Sequence, residues 1–387
     1  MCCNYFKIAT MLLLENKQIA IVGAGPVGLT MARLLQNGGL QVNVYERDLD
    51  ADARIWGGTL DLHRDSGQTA LAAAGLLEHY YQLALPMGVK FAGFQGDIIA
   101  TKSISPEHYK DNPEINRNIL RTMLLESLQP GTVRWNHKVI AADEYRGKWR
   151  LTFSNGHTTE ADLIIIAGGG SSKIRSLVTD EAVRETGSFI IQGDICSPAT
   201  NISSFYQRCD GHRLMVAKDG QLLVVNPLNN KSLTYGFIFQ PPASWQAGKA
   251  LDFANTKAVS DFIINSLEGW SEIFHNLIRK TSNFVGLPTR VLPLEKPWKI
   301  NRPLPVTLIG DAAHLMPPFA GMGVNTGLMD AMILSENLLN PEYRSLEAAI
   351  SDYEEKMLQY AREAIRESRE NELEMRNPEF DFRDLLF

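Results

Sequence analysis

Of the 387 residues, 44% are apolar and 21% charged, with 38 Lys and Arg against 44 Asp and Glu for a formal net charge of −6. A chain this long exceeds what one hydrophobic core usually fills, so two domains, or one split by insertions, are expected. The acidic balance offers no field for a phosphate backbone, which argues against a nucleic-acid partner. Cys2, Cys3, Cys196 and Cys209 lack C-x-x-C spacing and are too few for a disulfide framework, so a reducing cytoplasm and no metal site are expected. The apolar "IATMLLL" near the start is short and wrongly flanked for a targeting signal, and nothing approaches the ~18 apolar residues of a membrane span.

In chain order, "QIAIVGAGPVGLTMARLLQNGGLQVNVYERD" predicts a strand over Gln18–Val22, a helix over Pro26–Gln36 and a strand over Gln41–Tyr45. Gly23, Gly25 and Gly28 set G-x-G-x-x-G at the strand-to-helix turn, and Glu46 ends the next strand. That spacing suits a dinucleotide. One glycine makes the tight turn, one admits a pyrophosphate to the backbone at the helix N-terminus, and one lets helix and strand pack closely, while the acid accepts from a ribose hydroxyl. "RNILRTMLLESL" has helical spacing, and "WRLTFSNGHTTEADLIIIAG" reads as a hairpin entering a buried strand.

From about Thr186 to Phe239, short apolar runs separated by Gly, Asn and Asp predict an antiparallel sheet inserted into the α/β domain. The α/β texture returns at "LPVTLIGDAAH". Leu346, Ile350, Tyr353, Met357, Tyr360 and Ala364 then recur in steps of three and four, which predicts one helix over Ser345–Met375 with an apolar stripe too long for one small domain to bury.

The stretch "LIGDAAHLMPPFAGMGVN" identifies the dinucleotide. A strand ending in Gly310-Asp311 lies where an FAD-binding fold returns to the ribityl chain, so Asp311 is expected to accept from a ribityl hydroxyl. Gly321, Gly323, Val324 and Asn325 would turn backbone amides at a helix N-terminus towards the flavin pyrimidine edge. His314 as a metal ligand would have only Asp311 for company, and as a hydrolase base it would need a nucleophile, yet no G-x-S-x-G occurs. It is expected to pack against the backbone of its own motif.

Taken with "GGTLDLH", the Arg117 helix and "ADLIIIAGGGSSKIR", these motifs resemble the single-component FAD monooxygenases of the para-hydroxybenzoate hydroxylase type. "YERD", "LALPMGV", "NPEINRN", "FVGLPTR" and "LEKPWK" resemble the TetX-type tetracycline monooxygenases, the tetracycline destructases, over nearly the whole chain after residue 15. The resemblance implies an α/β fold: a Rossmann-like FAD-binding domain, an inserted antiparallel-sheet substrate domain and a long C-terminal bridging helix. The FAD-binding domain would comprise 15–73, 102–178 and 284–343, the substrate domain 74–101 and 179–283, and the bridging helix 344–387.

It further implies Glu46 and Arg47 at the adenosine end, Asp61, Arg117 and Asp311 on the FAD, and Arg54 near the NADPH path. Gln192, Arg213 and Thr234 would face the substrate from the inserted sheet, with Phe319 and Met375 as apolar walls. NADPH, O2 and a tetracycline would be the small-molecule partners of a monomer that touches neither nucleic acid nor membrane. Hydroxylation through a flavin C4a-hydroperoxide would need no catalytic side chain, because the substrate enolate is the nucleophile. Two departures stand out: Ala167-Gly168-Gly169 replaces the usual Ala-Asp-Gly, and Thr234 and Val224 stand where relatives carry histidine and an aromatic. An FAD dehydrogenase, a monooxygenase for another phenol or polyketide, and a non-catalytic flavoprotein that sequesters a ligand are the alternatives.

Overall fold

The computed structural model describes residues 14, 16–53, 57–246 and 251–385, so Cys2, Cys3 and Arg54 lie outside the described residues. Strand β1 (Ile19–Val22) is buried along its whole length and feeds helix α1 (Pro26–Asn37). Pro26 stands at the start of α1, where an amide would find no intrahelical partner in any case. Next come β2 (Val42–Tyr45), the short β3 (Leu60–Asp61), the antiparallel pair β4 (Val89–Ala92) and β5 (Ile98–Lys102), and β6 (Glu114–Ile115). Asn116 caps α2 (Arg117–Glu126) by accepting from the amides of Asn118 and Ile119.

β7 (Val133–Arg134) precedes a meander of β8 (Val139–Tyr145), β9 (Lys148–Phe153) and β10 (Thr158–Ala161). The chain then enters β11 (Leu163–Ile166), four aliphatic residues buried on both faces as a central parallel strand requires. A second sheet is built from β12 (Arg184–Cys196), β13 (Arg213–Lys218), β14 (Gln221–Asn229) and β15 (Ser232–Phe239). Helices α3 (Thr256–Ser266) and α4 (Glu272–Arg279) cover one face of it, and β16 (Asn283–Val291) closes an edge. β17 (Val306–Leu308), the single turn α5 (Asp311–His314), α6 (Met322–Leu339) and α7 (Leu346–Met375) follow.

The first sheet is wholly parallel, in the order β17-β11-β1-β2-β7. The second runs β16-β12-β15-β14-β13-β4-β5 and departs from the sequence expectation in two ways. β4 joins β13 in parallel, because the β4–β5 hairpin arrives from an earlier part of the chain and adds to the open edge of a sheet that is otherwise antiparallel. Residues 284–291, assigned by sequence to the FAD-binding part, instead pair with β12 as the edge strand.

At 30 residues α7 is about 45 Å long, given ~1.5 Å of rise per residue. Its N-terminal half is tied to the parallel sheet: Tyr353 donates to the Leu308 carbonyl at 2.9 Å, and Glu354 accepts from Thr307 and Arg302. Its C-terminal half is tied to the other sheet, where Glu372 accepts from the hydroxyls of Thr186 (2.6 Å) and Thr289 (3.1 Å). Between these anchors Ser368 and Asn371 donate to the carbonyls of Pro317 and Phe319, so α7 also fixes the loop before α6.

Candidate functional site

Two cavities meet at the β1–α1 turn. One of about 600 Å³ lies between the two sheets; the other, about 390 Å³, lies over the ends of β1 and β2. Gly25, Pro26, Ala167 and Gly169 line both, so the two adjoin at the turn.

The glycines of the turn differ in what demands them. Gly23 has φ +111°, and a Cβ there would stand 2.5 Å from the Ala167 carbonyl oxygen. A Cβ at Gly28 would lie 2.1 Å from the Gly23 carbonyl oxygen. At Gly25, by contrast, a Cβ would meet nothing within 4 Å. No protein packing requires that glycine, and the open space beside it is cavity.

Glu46 is buried, its Oε2 accepting the Ala24 amide at 2.5 Å and its Oε1 the Asp48 amide at 3.0 Å. Arg121, which the sequence did not single out, holds the same corner from α2 by donating to the Ala24 carbonyl (3.1 Å) and the Asp48 carboxylate (2.8 Å). Arg47 is exposed at the rim of this smaller cavity. Gly168 also lines it, and a Cβ there would make only an ordinary contact at 3.4 Å with the Ser172 hydroxyl. Packing therefore does not dictate the glycine that replaces the usual acid.

At the other end Asp311 opens into the larger cavity, and among the described residues its carboxylate has no hydrogen-bond partner. Arg175 supports its turn by donating to the carbonyls of Ala312 (2.8 Å) and Asp311 (3.4 Å). Arg117 lies across the cavity and donates to the Gly58 carbonyl at 3.0 Å. Burial lowers the Arg117 pKa, while the charges of Asp311 and Glu114 oppose that shift.

Gly321, Gly323 and Val324 line the cavity, whereas Asn325 does not. Fully buried, its side chain accepts from the amides of His63 and Gly67 and donates to the carbonyls of Asp61 and Gly321, knotting α6 to the β3 segment. Asp61 faces the cavity and pairs with His63 at 3.1 Å. Burial raises the Asp61 carboxyl, but the His63 hydrogen bond and the charges of His63 and Arg213 outweigh this and leave it below its usual value. The hydrogen bond to Asp61 raises the His63 pKa against the opposing effect of burial.

His314 is fully buried and gains a partner beyond its own motif. Its Nε2 meets the Asp330 carboxylate at 2.6 Å, and that carboxylate also accepts the Gly310 amide (2.6 Å) and the Tyr360 hydroxyl (2.6 Å). Burial lowers the imidazole pKa; the Asp330 charge and hydrogen bond outweigh it and the net shift is upward. The pair is a buried brace joining α5, α6 and α7.

The polar wall of the larger cavity comes from the second sheet. Arg213 donates to Asn226 at 2.8 Å and to Glu114, and both Arg213 and Asn226 line the cavity among Met215, Leu222, Val224 and Ile238. Glu114 is buried. Burial raises its carboxyl and the Arg213 charge partly offsets the rise. Nothing in the chemistry of "NPEINRN" alone marked Glu114; only the folded position of Arg213 does.

Phe319 and Met375 line the cavity as the sequence suggested, but Gln192 and Thr234 do not. Their strand register puts them on the cavity side of the sheet, only 4% and 2% exposed, within a buried polar cluster. Thr234 donates to Asp194 at 2.5 Å and accepts from Asn229 at 2.6 Å, and Asn116 at the start of α2 donates to Asn229 at 2.5 Å. No group of three or more His, Cys, Asp or Glu among the described residues is placed to hold a metal, and no described helix is long and apolar enough to cross a membrane.

The profile of a family described as an FAD binding domain matches residues 16–368. The monooxygenase penA of Penicillium thymicola is 27% identical over 374 residues, covering 83% of this chain and 84% of that protein. Among solved structures, Klebsiella pneumoniae HpxO complexed with FAD and uric acid superposes with a TM-score of 0.79 at 19% identity, covering 97% and 93% of the two chains. The tetracycline destructase Tet(55) superposes with a TM-score of 0.71 at 20% identity, covering 93% and 88%. At these identities the two structures speak for the fold.

Proposed function

The chain belongs to the FAD-binding monooxygenase family, and within it we propose an NADPH-consuming enzyme that inserts one oxygen atom into a flat, enolic polycycle of the tetracycline class. The observation that carries this reading is the larger cavity, where the apolar Met215, Val224, Phe319 and Met375 line the same space as the polar pair Arg213 and Asn226. A planar ring system with its oxygens along one edge fits that division: rings against Met215, Val224, Phe319 and Met375, and the anionic edge at Arg213.

The residues fit FAD. Gly25 leaves open the space a pyrophosphate would occupy at the start of α1, and Asp311 presents an unpartnered carboxylate to hydroxyl donors. In this reading Glu46 and Arg47 hold the adenosine end, Asp61, Arg117 and Asp311 the central part, and the backbone around Gly321, Gly323 and Val324 the ring edge. Asn325 acts through its knot to Asp61 and Gly321. Bound FAD supplies the activated oxygen. The side chains do the rest: Glu114 fixes the Arg213 guanidinium, Arg213 stabilises the substrate as its enolate, and the apolar walls exclude water. No side-chain base is required, since the ionised enol carbon is itself the nucleophile.

A smaller ring is the second reading, favoured by the structural likeness to a protein crystallised with uric acid. The test gives the purified holoenzyme NADPH and O2 with either tetracycline or uric acid. Faster NADPH oxidation and a product one oxygen heavier with tetracycline are expected; turnover of uric acid alone would select the second reading, and no turnover with either would reject both.

A further inference from the structure

Beyond α7 the chain neither ends nor wanders. Asn377 and Asp381 each accept a hydrogen bond from the amide two residues on, at 3.1 and 2.8 Å, so 376–384 forms two successive side-chain-locked turns. The segment is anchored where it leaves the helix: Arg376 donates to the Thr186 carbonyl at 3.1 Å, and its own carbonyl oxygen lies 2.7 Å from where a Cβ on Gly220 would stand. These turns deliver two aromatic rings to the second sheet. Phe380 and Phe382 are buried, meet edge to face at 5.2 Å between centroids, and Phe382 lies 4.7 Å from Phe91.

Their neighbours give these rings a role. The apolar cluster around Phe380 and Phe382 takes in Met215, Leu222, Val224, Ile238 and Met375, and each of those five also lines the larger cavity. Neither ring touches the cavity; both stand behind the side chains that do. Met215 and Met375 are unbranched and flexible, and without a rigid backing they fold outwards.

We propose that the 376–384 segment is the fixed end wall of the ligand cavity, with Phe382 and Phe380 setting how long a ring system it accepts. The inference rests on the proposed use of that cavity for a flat polycycle and assigns its size limit to residues outside its lining. Shortening either ring lets the lining side chains retreat, lengthens the cavity and admits water at that end.

The experiment compares the wild-type holoenzyme with Phe382→Ala and the Phe380→Ala/Phe382→Ala pair. Phe382→Leu, which keeps most of the apolar volume, carries the test if an alanine variant does not fold, as judged by its thermal melt. Dissociation constants are measured for tetracycline and for a tetracycline bearing a bulky amide on its aromatic ring, together with quenching of flavin fluorescence by acrylamide. The wall account expects at least a tenfold shift in the ratio of the two constants towards the bulky ligand, rising KM with nearly constant kcat, and greater quenching, all with FAD content unchanged. An unchanged ratio and unchanged quenching in a folded variant would overturn it. Should neither ligand bind the wild type, the polycycle reading fails, while the quenching comparison still decides whether 376–384 seals the cavity.

Discussion

The two faces of the seven-stranded sheet use the same strands for opposite ends. On the outer face Leu214, Val216, Leu223, Val225 and Phe237 are 0% exposed beneath α3 and α4 in a largely apolar contact. On the inner face the alternate residues Arg213, Met215, Leu222, Val224, Asn226 and Ile238 look into the cavity. Strand periodicity alone separates them, so a one-residue step along β13 passes from a residue packed under the helices to one that lines the cavity. Outer-face substitutions should therefore cost stability and spare specificity, and inner-face substitutions the reverse.

The largest expected effect is on the outer face. Phe237→Ala leaves a void in a fully buried cluster and should lower unfolding stability by about 3–5 kcal/mol, read by denaturant melts, with ligand affinity intact in the folded fraction. A loss under about 1 kcal/mol would mean that the outer face is not the packed core described. Next comes Asp311→Ala, beyond the sheet but on the same cavity. Removing a charge-assisted hydrogen bond worth roughly 1.5–3 kcal/mol should weaken FAD binding about 10- to 150-fold, measured by titrating apoprotein. Unchanged affinity would place Asp311 outside the cofactor site.

On the inner face, Arg213→Ala should raise the substrate KM about tenfold or more while FAD content stays intact, because a charged contact to the ligand is lost without disturbing the parallel sheet. A colourless variant would instead tie Arg213 to the cofactor. The smallest effect is a pH dependence at the Asp61–His63 pair. The lowered Asp61 pKa gives a contribution present above its unfolded value and lost as pH falls through the lowered one; the raised His63 pKa gives one complete below about 6.5 and lost as pH rises through the raised one. Thermal stability should thus be greatest between these limits, and His63→Gln should flatten the alkaline decline. A wild-type profile that the substitution leaves unaltered would dissociate the pair from stability.

Legibility in the sequence tracks how local each signal is. The β1–α1–β2 unit was written in adjacent residues, glycines, an apolar strand and Glu46, and the folded unit follows that pattern to within a residue or two. Asp311 was equally visible because Gly310 precedes it at a strand end. Thr234 was expected to face the substrate, yet its hydroxyl is taken up by Asn229 and Asp194, and Asn229 in turn is held by Asn116 from 113 residues away, a contact that strand periodicity cannot foresee. Glu114, Asp330 and the Phe380–Phe382 wall were missed for the same reason: their partners Arg213, His314 and Phe91 are distant in sequence. His314 seemed inert in its own motif because Asp330 arrives from the next helix.

In the proposed function one cavity brings a flat enolic ligand to the FAD of an oxygen-inserting enzyme. The most direct measurement supplies the holoenzyme with NADPH, tetracycline and ¹⁸O-labelled O2, and weighs the product. A product carrying one ¹⁸O atom, in an amount that matches the NADPH consumed, is expected. Labelled hydrogen peroxide with unaltered tetracycline, or oxygen entering the product from unlabelled water, would contradict it.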